Sequence, residues 1–348
     1  MIGRGRNLSQ VRDRITFEVK SVSPLRLDRY LIRSLDWKSR TRLQKLIREG
    51  YITVNKQAAK PSQKVMQGDV VNIQLSHGAG VPESYEEREF EILYEDRWLV
   101  AINKPPGLLV HPVGRHVYDT LINYMHHHYH GAETEYGQHV IPRLCHRLDR
   151  DTTGVLVIAK EAHVHRQVQY QFENRLVAKE YYALVAGSFD AVSNRDDSSV
   201  TKTAETMTVT IPLGEGNSLQ TCLEHSVLKK SRTDFRIVER YRDYTLLTCH
   251  PQTGRQNQIR VHLAAVGLPI VGDTRYGPSD GNPTASRYGN PTALQEFARR
   301  YLLHSRRLRF FHPRWKSVVE ITAPVPPDFG SVLTHLESTA PLGSSTKS

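Results

Sequence analysis

Hydrophobic residues between positions 25 and 75 first follow a helical spacing and then form short apolar runs. Four of them lie three or four residues apart and predict an amphipathic helix: Leu27, Tyr30, Leu31 and Leu35. A second helix is predicted by Leu43, Leu46 and Ile47, with Ser39 suited to its N-cap and Gly50 just past its end. The runs at 51–54 and 70–73 are flanked by turn residues and predict two strands. The pattern therefore predicts a small α+β module.

After residue 88 the chain is dominated by short apolar or alternating runs, which are typical of strands. The predicted strands lie within 90–103, at 155–158, 179–187, 203–213, 223–228, 235–241 and 244–250. Two amphipathic helices are predicted, one at 161–175 and one containing Ile259, Leu263 and Val266. So many strands with few long helices predict an α+β fold built on a large, mainly antiparallel mixed sheet.

The charge balance indicates the kind of binding partner, and the cysteine count indicates the cellular compartment. The 348 residues include 47 Lys and Arg against 36 Asp and Glu, a net charge of +11, which favours a polyanionic partner such as nucleic acid. The three cysteines are far apart, so a disulfide framework or a zinc ribbon is not expected. Residues 1–20 lack the apolar core of a signal peptide, and no segment approaches the ~18 apolar residues of a membrane helix. We therefore expect a cytoplasmic protein without a membrane segment.

Basic residues cluster on the second predicted helix. Three of them follow a helical spacing and two lie nearby: Lys38, Arg42 and Lys45, with Arg40 and Arg48. Like charges at this spacing repel one another, which indicates a bound anion, although a solvated helix face has the same pattern.

A second cluster, His126, His127, His128 and His130, raises the question of a metal site. A helix would spread these side chains around its circumference, and no carboxylate or cysteine accompanies them at ligand spacing. We predict a surface segment and no metal site.

A charged turn precedes the apolar run at 155–158 and holds the strongest chemical signal. It contains His146, Arg147, Asp149, Arg150 and Asp151 within six residues. A carboxylate held at the start of a strand beside fixed cations stays ionised and can act as a nucleophile or a base. An ion-paired loop that only caps the strand would have the same composition, and either aspartate could be the reactive one.

Four stretches together resemble the RluA/RluD family of RNA pseudouridine synthases. They are Asn103-Lys104-Pro105-Pro106-Gly107, His146-Arg147-Leu148-Asp149 with Asp151-Thr152-Thr153-Gly154, Lys179-Glu180-Tyr181-Tyr182-Ala183, and Gly254-Arg255-Gln256-Asn257-Gln258-Ile259-Arg260. The chain departs from the family pattern at Asn257, where histidine is usual, so the local role of that side chain is open.

The N-terminal module is similar to the S4 RNA-binding domain in the order of its residues. The matching residues are Arg26-Leu27-Asp28-Arg29-Tyr30-Leu31, Ser39-Arg40, Leu46-Ile47-Arg48-Glu49-Gly50, Val54-Asn55 and Gly68-Asp69. We therefore predict a flexible segment (1–15), an S4-like domain (16–75), a linker (76–88), a catalytic domain (89–325) and a flexible tail (326–348).

The resemblance implies a role for each candidate residue. Asp149 would be the catalytic carboxylate, Arg260 would pair with it and keep it ionised, and Tyr181 would stack on the flipped uracil and serve as a candidate base. Arg147 would fill the gap left in the RNA stack, His146 would brace the loop, and Arg255 is the second choice for the Asp149 partner. The S4 cations Lys38, Arg40, Arg42, Lys45 and Arg48 would face RNA. Lys104 would either contact phosphate or be solvated.

The implied reaction isomerises uridine, with uracil as its own leaving group, so no cofactor is expected. The S4 domain suggests large-subunit (23S) ribosomal RNA as the substrate, with tRNA or another RNA as the alternative. A catalytically inactive RNA-binding or ribosome-assembly factor would share the basic S4 face. We expect a monomer.

Overall fold

The computed structural model describes residues 14–34, 40–74, 88–112, 119–134, 136–216, 218–277, 294 and 298–339. These residues form two compact units. One consists of the described parts of Met1–Glu89 and Leu109–Arg143, and the other of the described parts of Phe90–Leu108 and Leu144–Ser348.

The first unit contains the N-terminal α+β module, whose helices and strands enclose one apolar core. Its helices are α1 (Leu27–Ser34) and α2 (Arg40–Arg48). Its strands are β1 (Arg14–Glu18), β2 (Leu25–Arg26), β3 (Ile52–Val54), β4 (Gln57–Ala58), β5 (Lys64–Val65) and β6 (Val70–Gln74). Four strands form a sheet in the order β1-β6-β3-β4, and β2 pairs with β5.

The predicted helical faces of this module are buried. Leu27 and Leu31 of α1 and Leu43, Leu46 and Ile47 of α2 lie in the same cluster as the apolar residues of β3 and β6. Two predicted residues, Leu35 and Ser39, lie outside the described part of the chain. The two-helix prediction is therefore confirmed, whereas β1 was not predicted at all.

The histidine cluster lies in the same unit: His126, His127 and His128 end helix α3 (Leu121–His128), and His130 lies in the turn after it. The prediction of a surface segment is wrong for His126, whose side chain is buried. Among the described residues, no group of three or more His, Cys, Asp or Glu side chains could hold a metal ion.

The second unit is organised around one large sheet. Its strands are β7 (Ile92–Glu95), β8 (Leu99–Lys104), β10 (Thr153–Ala159), β11 (Ala178–Ala186), β12 (Val200–Lys202), β13 (Thr206–Val209), β14 (Thr233–Arg240), β15 (Tyr244–Pro251), β16 (Leu303–His312) and β17 (Ser317–Thr322). A two-residue strand, β9 (Arg143–Leu144), lies where the two units meet in the sequence. The strand order is β12-β13-β14-β15-β11-β16-β10-β8-β7. β17 pairs with the C-terminal part of β16.

Along this path β10 and β16 run parallel, and the other neighbouring strands run antiparallel. The predicted α+β class with a mainly antiparallel mixed sheet is confirmed. The strand predicted at 223–228 is wrong. Its first residue ends a short helix, α5 (Leu219–Leu223). The N-cap of this helix, Ser218, exchanges hydrogen bonds with Thr221 in a capping box.

The other helices of the second unit are α4 (Ala162–Glu173), α6 (Gln258–Ala265) and α7 (Pro327–Thr339), with a 3₁₀ turn at Phe189–Ala191. Val164 and Val168 of α4 pack against the sheet beside Leu308 and Phe310. Ile259 and the other apolar residues of α6 join a second cluster around β11, β14 and β15. The two helices predicted from amphipathic spacing are confirmed, and each is fixed to the sheet by apolar side chains. None of the described helices is long and apolar enough to cross a membrane.

Helix α7 overturns part of the predicted flexible tail. Phe329, Val332 and Leu336 lie on one face of the helix and are buried in an apolar cluster. Asp328, in the first turn of α7, pairs with Arg300 at 2.7 Å. The predicted tail is therefore wrong for residues 327–339, because a weakly apolar segment can be ordered by an existing core.

Gly154 allows β10 to approach β16 closely. Its backbone has φ +106°, and an added Cβ would collide with the carbonyl oxygen of Ser305 in β16. The charged turn at 146–152 is thereby anchored to the centre of the sheet, directly beside the parallel pair.

Candidate active site

The charged turn opens onto a cavity of about 650 Å³ in the second unit. The lining includes all six candidate residues predicted for the catalytic domain, namely His146, Arg147, Asp149, Tyr181, Arg255 and Arg260. They come from the turn before β10, from β11 and from the start of α6, which are distant in sequence. The neighbouring Asp151 is not among the lining residues, so the geometry favours Asp149 as the reactive aspartate.

A buried lysine fixes the backbone of the turn that carries Asp149. The Lys104 ammonium donates to the carbonyl oxygens of Pro105, Leu108 and Arg150 at 2.7, 2.9 and 2.7 Å. Its side chain is completely buried, so both predicted roles for Lys104, phosphate contact and a solvated turn residue, are wrong. Three carbonyl acceptors satisfy the three N–H donors of the ammonium group. Lys104 thus joins the turn after β8 to the charged turn.

The Asp149 carboxyl has a pKa above its usual value, because desolvation at the base of the cavity disfavours the charged form. The positive charges of Arg260, Arg147, Lys104 and Arg275 oppose this shift without overcoming it. The cations therefore favour the ionised form, as expected from the sequence, but burial outweighs them in the free enzyme. A partly desolvated carboxylate among four cations suits a group that must react.

Arg260 is held by a different acid from the one predicted. Its Nε donates to Asp273 Oδ2 at 2.7 Å and its Nη2 donates to Asp273 Oδ1 at 2.8 Å. The guanidinium also lies over the rings of Tyr276 and Tyr301, at 4.9 and 3.9 Å from their centroids. The predicted ion pair with Asp149 is thus replaced by one with Asp273. Arg260 therefore affects Asp149 only through the electrostatic effect of its positive charge, which lowers the Asp149 pKa.

Asn257 supports the Arg260 side chain. Its Oδ1 accepts a hydrogen bond from Arg260 Nη1 at 3.1 Å, and its Nδ2 donates to the Tyr276 hydroxyl at 3.0 Å. Its backbone is left-handed, with φ +53°, which asparagine adopts more readily than most residues. The residue that departs from the family pattern therefore has a definite structural role.

Replacing Asn257 with alanine is expected to lower the free energy of unfolding by about 2 kcal/mol, since both hydrogen bonds are lost and a left-handed residue is strained. Urea unfolding would measure the loss. Asn257→Gly is the matched control, because glycine accepts the backbone conformation and loses only the hydrogen bonds. Equal stability of wild type and the alanine variant would contradict this account.

Tyr181 lies on β11 between β15 and β16, opposite Cys249 and Ser305. Burial raises the pKa of its hydroxyl to about 12, the negative charge of Asp149 adds to the effect, and a hydrogen bond with Ser305 opposes it. The phenol is therefore neutral near pH 7, which argues against its predicted role as a base and suits contact with a neutral ring. Its stacking role remains a prediction.

The remaining catalytic-domain candidates differ in how firmly they are held. His146 Nε2 accepts the Val157 backbone N–H at 3.0 Å, and its ring stacks on Phe172 with centroids 4.5 Å apart. Burial lowers the His146 pKa to about 3, so the ring is neutral and braces the turn. Arg147 is exposed at the cavity, and Arg255 Nε donates to the Lys230 carbonyl at 3.1 Å. Arg147 is thus the more accessible cation.

Sequence reasoning missed two residues of this site, Asp273 and Tyr301. Asp273 is buried and binds Arg260, and its Oδ1 also accepts the backbone N–H groups of Arg275 and Tyr276. The Tyr301 hydroxyl lies 3.3 Å from Oγ1 of Thr152, the last residue of the charged turn. A buried arginine on α6 signals the need for an acid, but the sequence does not say which one.

The S4 cations were predicted to face RNA, and the structure describes three of their side chains. Arg40 donates through Nε and Nη2 to the buried Asp28 carboxylate at 3.1 and 2.9 Å, so part of its hydrogen-bonding capacity has a structural use. Arg26 and Gln44 bind the same carboxylate, and these hydrogen bonds hold the Asp28 pKa well below its usual range. Lys45 lies 3.6 Å from Glu49, and Arg48 is exposed. The side chains of Lys38 and Arg42 lie outside the described residues.

Comparisons with known proteins agree with this arrangement. The model of a family described as RNA pseudouridylate synthase matches residues 98–265, and the S4 domain model matches residues 25–71. Over 319 residues the chain is 33% identical to the uncharacterized RNA pseudouridine synthase YlyB of Bacillus subtilis, covering 89% of this chain and 94% of that protein. Over 308 residues it is 32% identical to the ribosomal large subunit pseudouridine synthase D of Vibrio cholerae, covering 87% and 89%.

Among solved structures, human RNA pseudouridylate synthase domain containing 4 is similar with a TM-score of 0.50 and 26% identity. The match covers 71% of this chain and 93% of that one. The fold and these relatives together define the class: this is an enzyme that isomerises uridine in RNA to pseudouridine. Within that class the chain belongs to the RluA/RluD family, with an S4 domain ahead of the catalytic domain.

Proposed function

We propose that this enzyme converts specific uridines of large-subunit (23S) ribosomal RNA to pseudouridine, with Asp149 as the catalytic carboxylate acting on a flipped base. The observation that carries the proposal is the meeting of Asp149, Tyr181, Arg147 and Arg260 in one cavity. The choice of RNA is supported by the S4 domain and by the relative from Vibrio cholerae, which is named a ribosomal large subunit pseudouridine synthase. Such a substrate would place the enzyme in the cytoplasm. We propose that it acts there as a monomer, with an S4-like domain at 16–75 and a catalytic domain that begins at residue 89 and extends through helix α7.

The reaction needs access to an atom that is hidden in a base stack. The N1–C1′ bond breaks, the uracil turns, a C5–C1′ bond forms, the C5 proton leaves and N1 gains a proton, so atoms and charge balance without a co-reactant. Because C1′ and both faces of the uracil must be reached, the nucleotide has to leave the stack. A cavity of about 650 Å³ has room for a nucleotide-sized ligand.

The cavity residues divide this work. The Asp149 carboxylate assists cleavage of the glycosidic bond from the C1′ side, where its raised pKa reflects a charge that is poorly solvated in the free enzyme. Tyr181 offers an aromatic face and a neutral hydroxyl to the uracil. The exposed Arg147 can occupy the space that the flipped base leaves. Arg260, fixed by Asp273, keeps a positive charge near the reacting carboxylate.

The experiment is pseudouridine mapping in purified ribosomal RNA and tRNA, each incubated separately with the enzyme. The proposal expects new pseudouridine at defined positions of large-subunit ribosomal RNA. Modification of tRNA alone would overturn the proposed RNA substrate but would still support the proposed reaction. Tight RNA binding without pseudouridine in any RNA would favour the binding-factor alternative.

The raised pKa of Asp149 also predicts an effect on stability. A carboxyl whose folded pKa lies above its unfolded value binds more protons in the folded state, so its contribution to stability rises as pH falls through that window. At pH 7 the ionised group is unfavourable in the fold. Asp149→Asn is therefore expected to raise the free energy of unfolding at pH 7, and the gain should shrink as pH falls towards 4. Urea unfolding at several pH values measures this; lower stability of the variant at pH 7 would refute it.

A further inference from the structure

Two cations on the cavity wall have no acidic partner among the described residues. Arg175 follows α4, Lys179 lies in β11, and both line the cavity. Within the described part of the chain neither forms an ion pair or a side-chain hydrogen bond. The acids nearest to them in sequence have other partners: Glu173 accepts from Gln169 at 3.0 Å, and Glu180 pairs with Arg307 at 2.7 Å.

The backbone at Arg175 is unusual for such a residue. Its φ is +61°, in the turn where the Arg175 and Leu176 N–H groups close α4 by donating to Phe172 and Gln171. Glycine is the residue favoured at this position, and a larger residue is disfavoured by roughly 1 kcal/mol. An arginine that lines the cavity from a strained position suggests a use for its side chain.

Lys179 is an ammonium group in unfavourable surroundings. Burial and the charge of Arg175 lower its pKa to about 8, and its own charge helps to lower the pKa of His146. Alternation along β11 places Lys179 on the same side as Tyr181, and two strand residues span about 7 Å. A bound anion would relieve the repulsion between Lys179 and Arg175. It would then lie next to the proposed position of the uracil.

We propose that Arg175 and Lys179 form a phosphate subsite that holds the RNA backbone beside the uridine in the cavity. The inference rests on the proposed function, since it takes the cavity to bind RNA. The ligand class is a phosphodiester: Arg175 offers the planar fork that pairs with two oxygens, and Lys179 offers a point charge. The subsite would fix the strand while the base turns.

The test measures RNA affinity in the Asp149→Asn background, with a transcript of large-subunit ribosomal RNA as the probe. Arg175→Gly and Lys179→Gln are each expected to weaken binding by about tenfold, and to reduce the slope of log K against log salt by about 0.7 for a single-stranded contact. Arg175→Gly should not lower the thermal stability, because glycine relieves the strained backbone. A loss of folding would therefore not explain weaker binding.

Lys316 provides a matched control. It is an exposed cation with φ +54° in the turn between β16 and β17, and it does not line the cavity. Like Arg175→Gly, Lys316→Gly replaces a cation at a left-handed position with glycine, but outside the subsite, and it should keep the affinity and the salt slope. An equal loss in Lys316→Gly, or unchanged binding in both subsite variants, would overturn the subsite.

A pH series gives a second readout. Wild-type affinity should fall between pH 7 and 9 as Lys179 loses its proton, whereas Lys179→Arg should bind without that fall, because a guanidinium stays charged. The titratable groups on this side of the cavity do not change charge in the same range: the pKa of His146 is about 3, and those of Tyr181 and Cys145 are about 12. Identical pH profiles would count against the subsite. If wild type forms no pseudouridine, the proposed reaction fails, and these affinities still test the subsite by themselves.

Discussion

Asp149→Asn is expected to reduce the rate of pseudouridine formation by more than about 10³-fold, because the amide can neither carry the charge nor form the bond to carbon that a carboxylate can. The change is nearly isosteric, so the cavity and the RNA affinity should be retained. Single-turnover kinetics on the RNA that wild type modifies would separate the chemical step from binding.

Asp151→Asn is the matched control for this prediction. It makes the same change two residues away, at a side chain that does not line the cavity. Its backbone carbonyl, which accepts from Arg300 Nη1 at 3.1 Å, is unaffected by the substitution. Near-normal activity is expected for Asp151→Asn. Full activity in the Asp149 variant, with loss in the Asp151 variant, would reverse the assignment.

Arg260→Ala is expected to cost roughly 3–5 kcal/mol of stability, since it leaves the Asp273 carboxylate buried without its partner. The side chains of the pair are only 8% and 2% exposed, so water cannot replace the guanidinium. Activity should fall as well, because Asp149 loses a nearby positive charge and the rings of Tyr276 and Tyr301 lose the guanidinium that contacts them.

A double variant, Arg260→Met/Asp273→Asn, separates the two effects. It removes both charges and keeps a side-chain oxygen for the backbone N–H groups of Arg275 and Tyr276, so it should recover much of the stability. Its activity should stay low if Arg260 has a role in the reaction. Recovery of activity together with stability would show that the arginine is purely structural. Urea unfolding and pseudouridine yield are the two measurements.

The sequence predicted much of the fold because the predicted elements carry their own periodic signal. The faces of α1, α2, α4 and α6 follow a helical repeat, and each is buried where that repeat predicts. Helix α7 was missed since its order depends on packing against a distant cluster, and its composition alone suggests a tail. The short helix α5 was missed because its stabilising capping box involves polar side chains, and the strand predicted just after it, at 223–228, does not form.

The site could be predicted down to its main residues, but their pairings could not. The resemblance identified the residues that line the cavity, yet Arg260 pairs with Asp273, 13 residues further along, and not with Asp149. Lys104 was misjudged because the three carbonyls that bind it come from backbone, which side-chain patterns do not encode. Arg40 likewise has its partner, Asp28, on another helix.

The parallel pair at the centre of the large sheet has a consequence for how the enzyme is made. Thr153 and His304 are neighbours across β10 and β16 and share a hydrogen bond at 2.9 Å, although 151 residues separate them in the chain. During synthesis, the antiparallel partners β8 and β10 are available long before β16 leaves the ribosome. Contacts over such a separation are slow to form, and domains assemble as the chain emerges. We infer that the turn carrying Asp149 acquires its final geometry only once residues 303–312 have been translated, so a nascent chain lacking β16 would be catalytically silent.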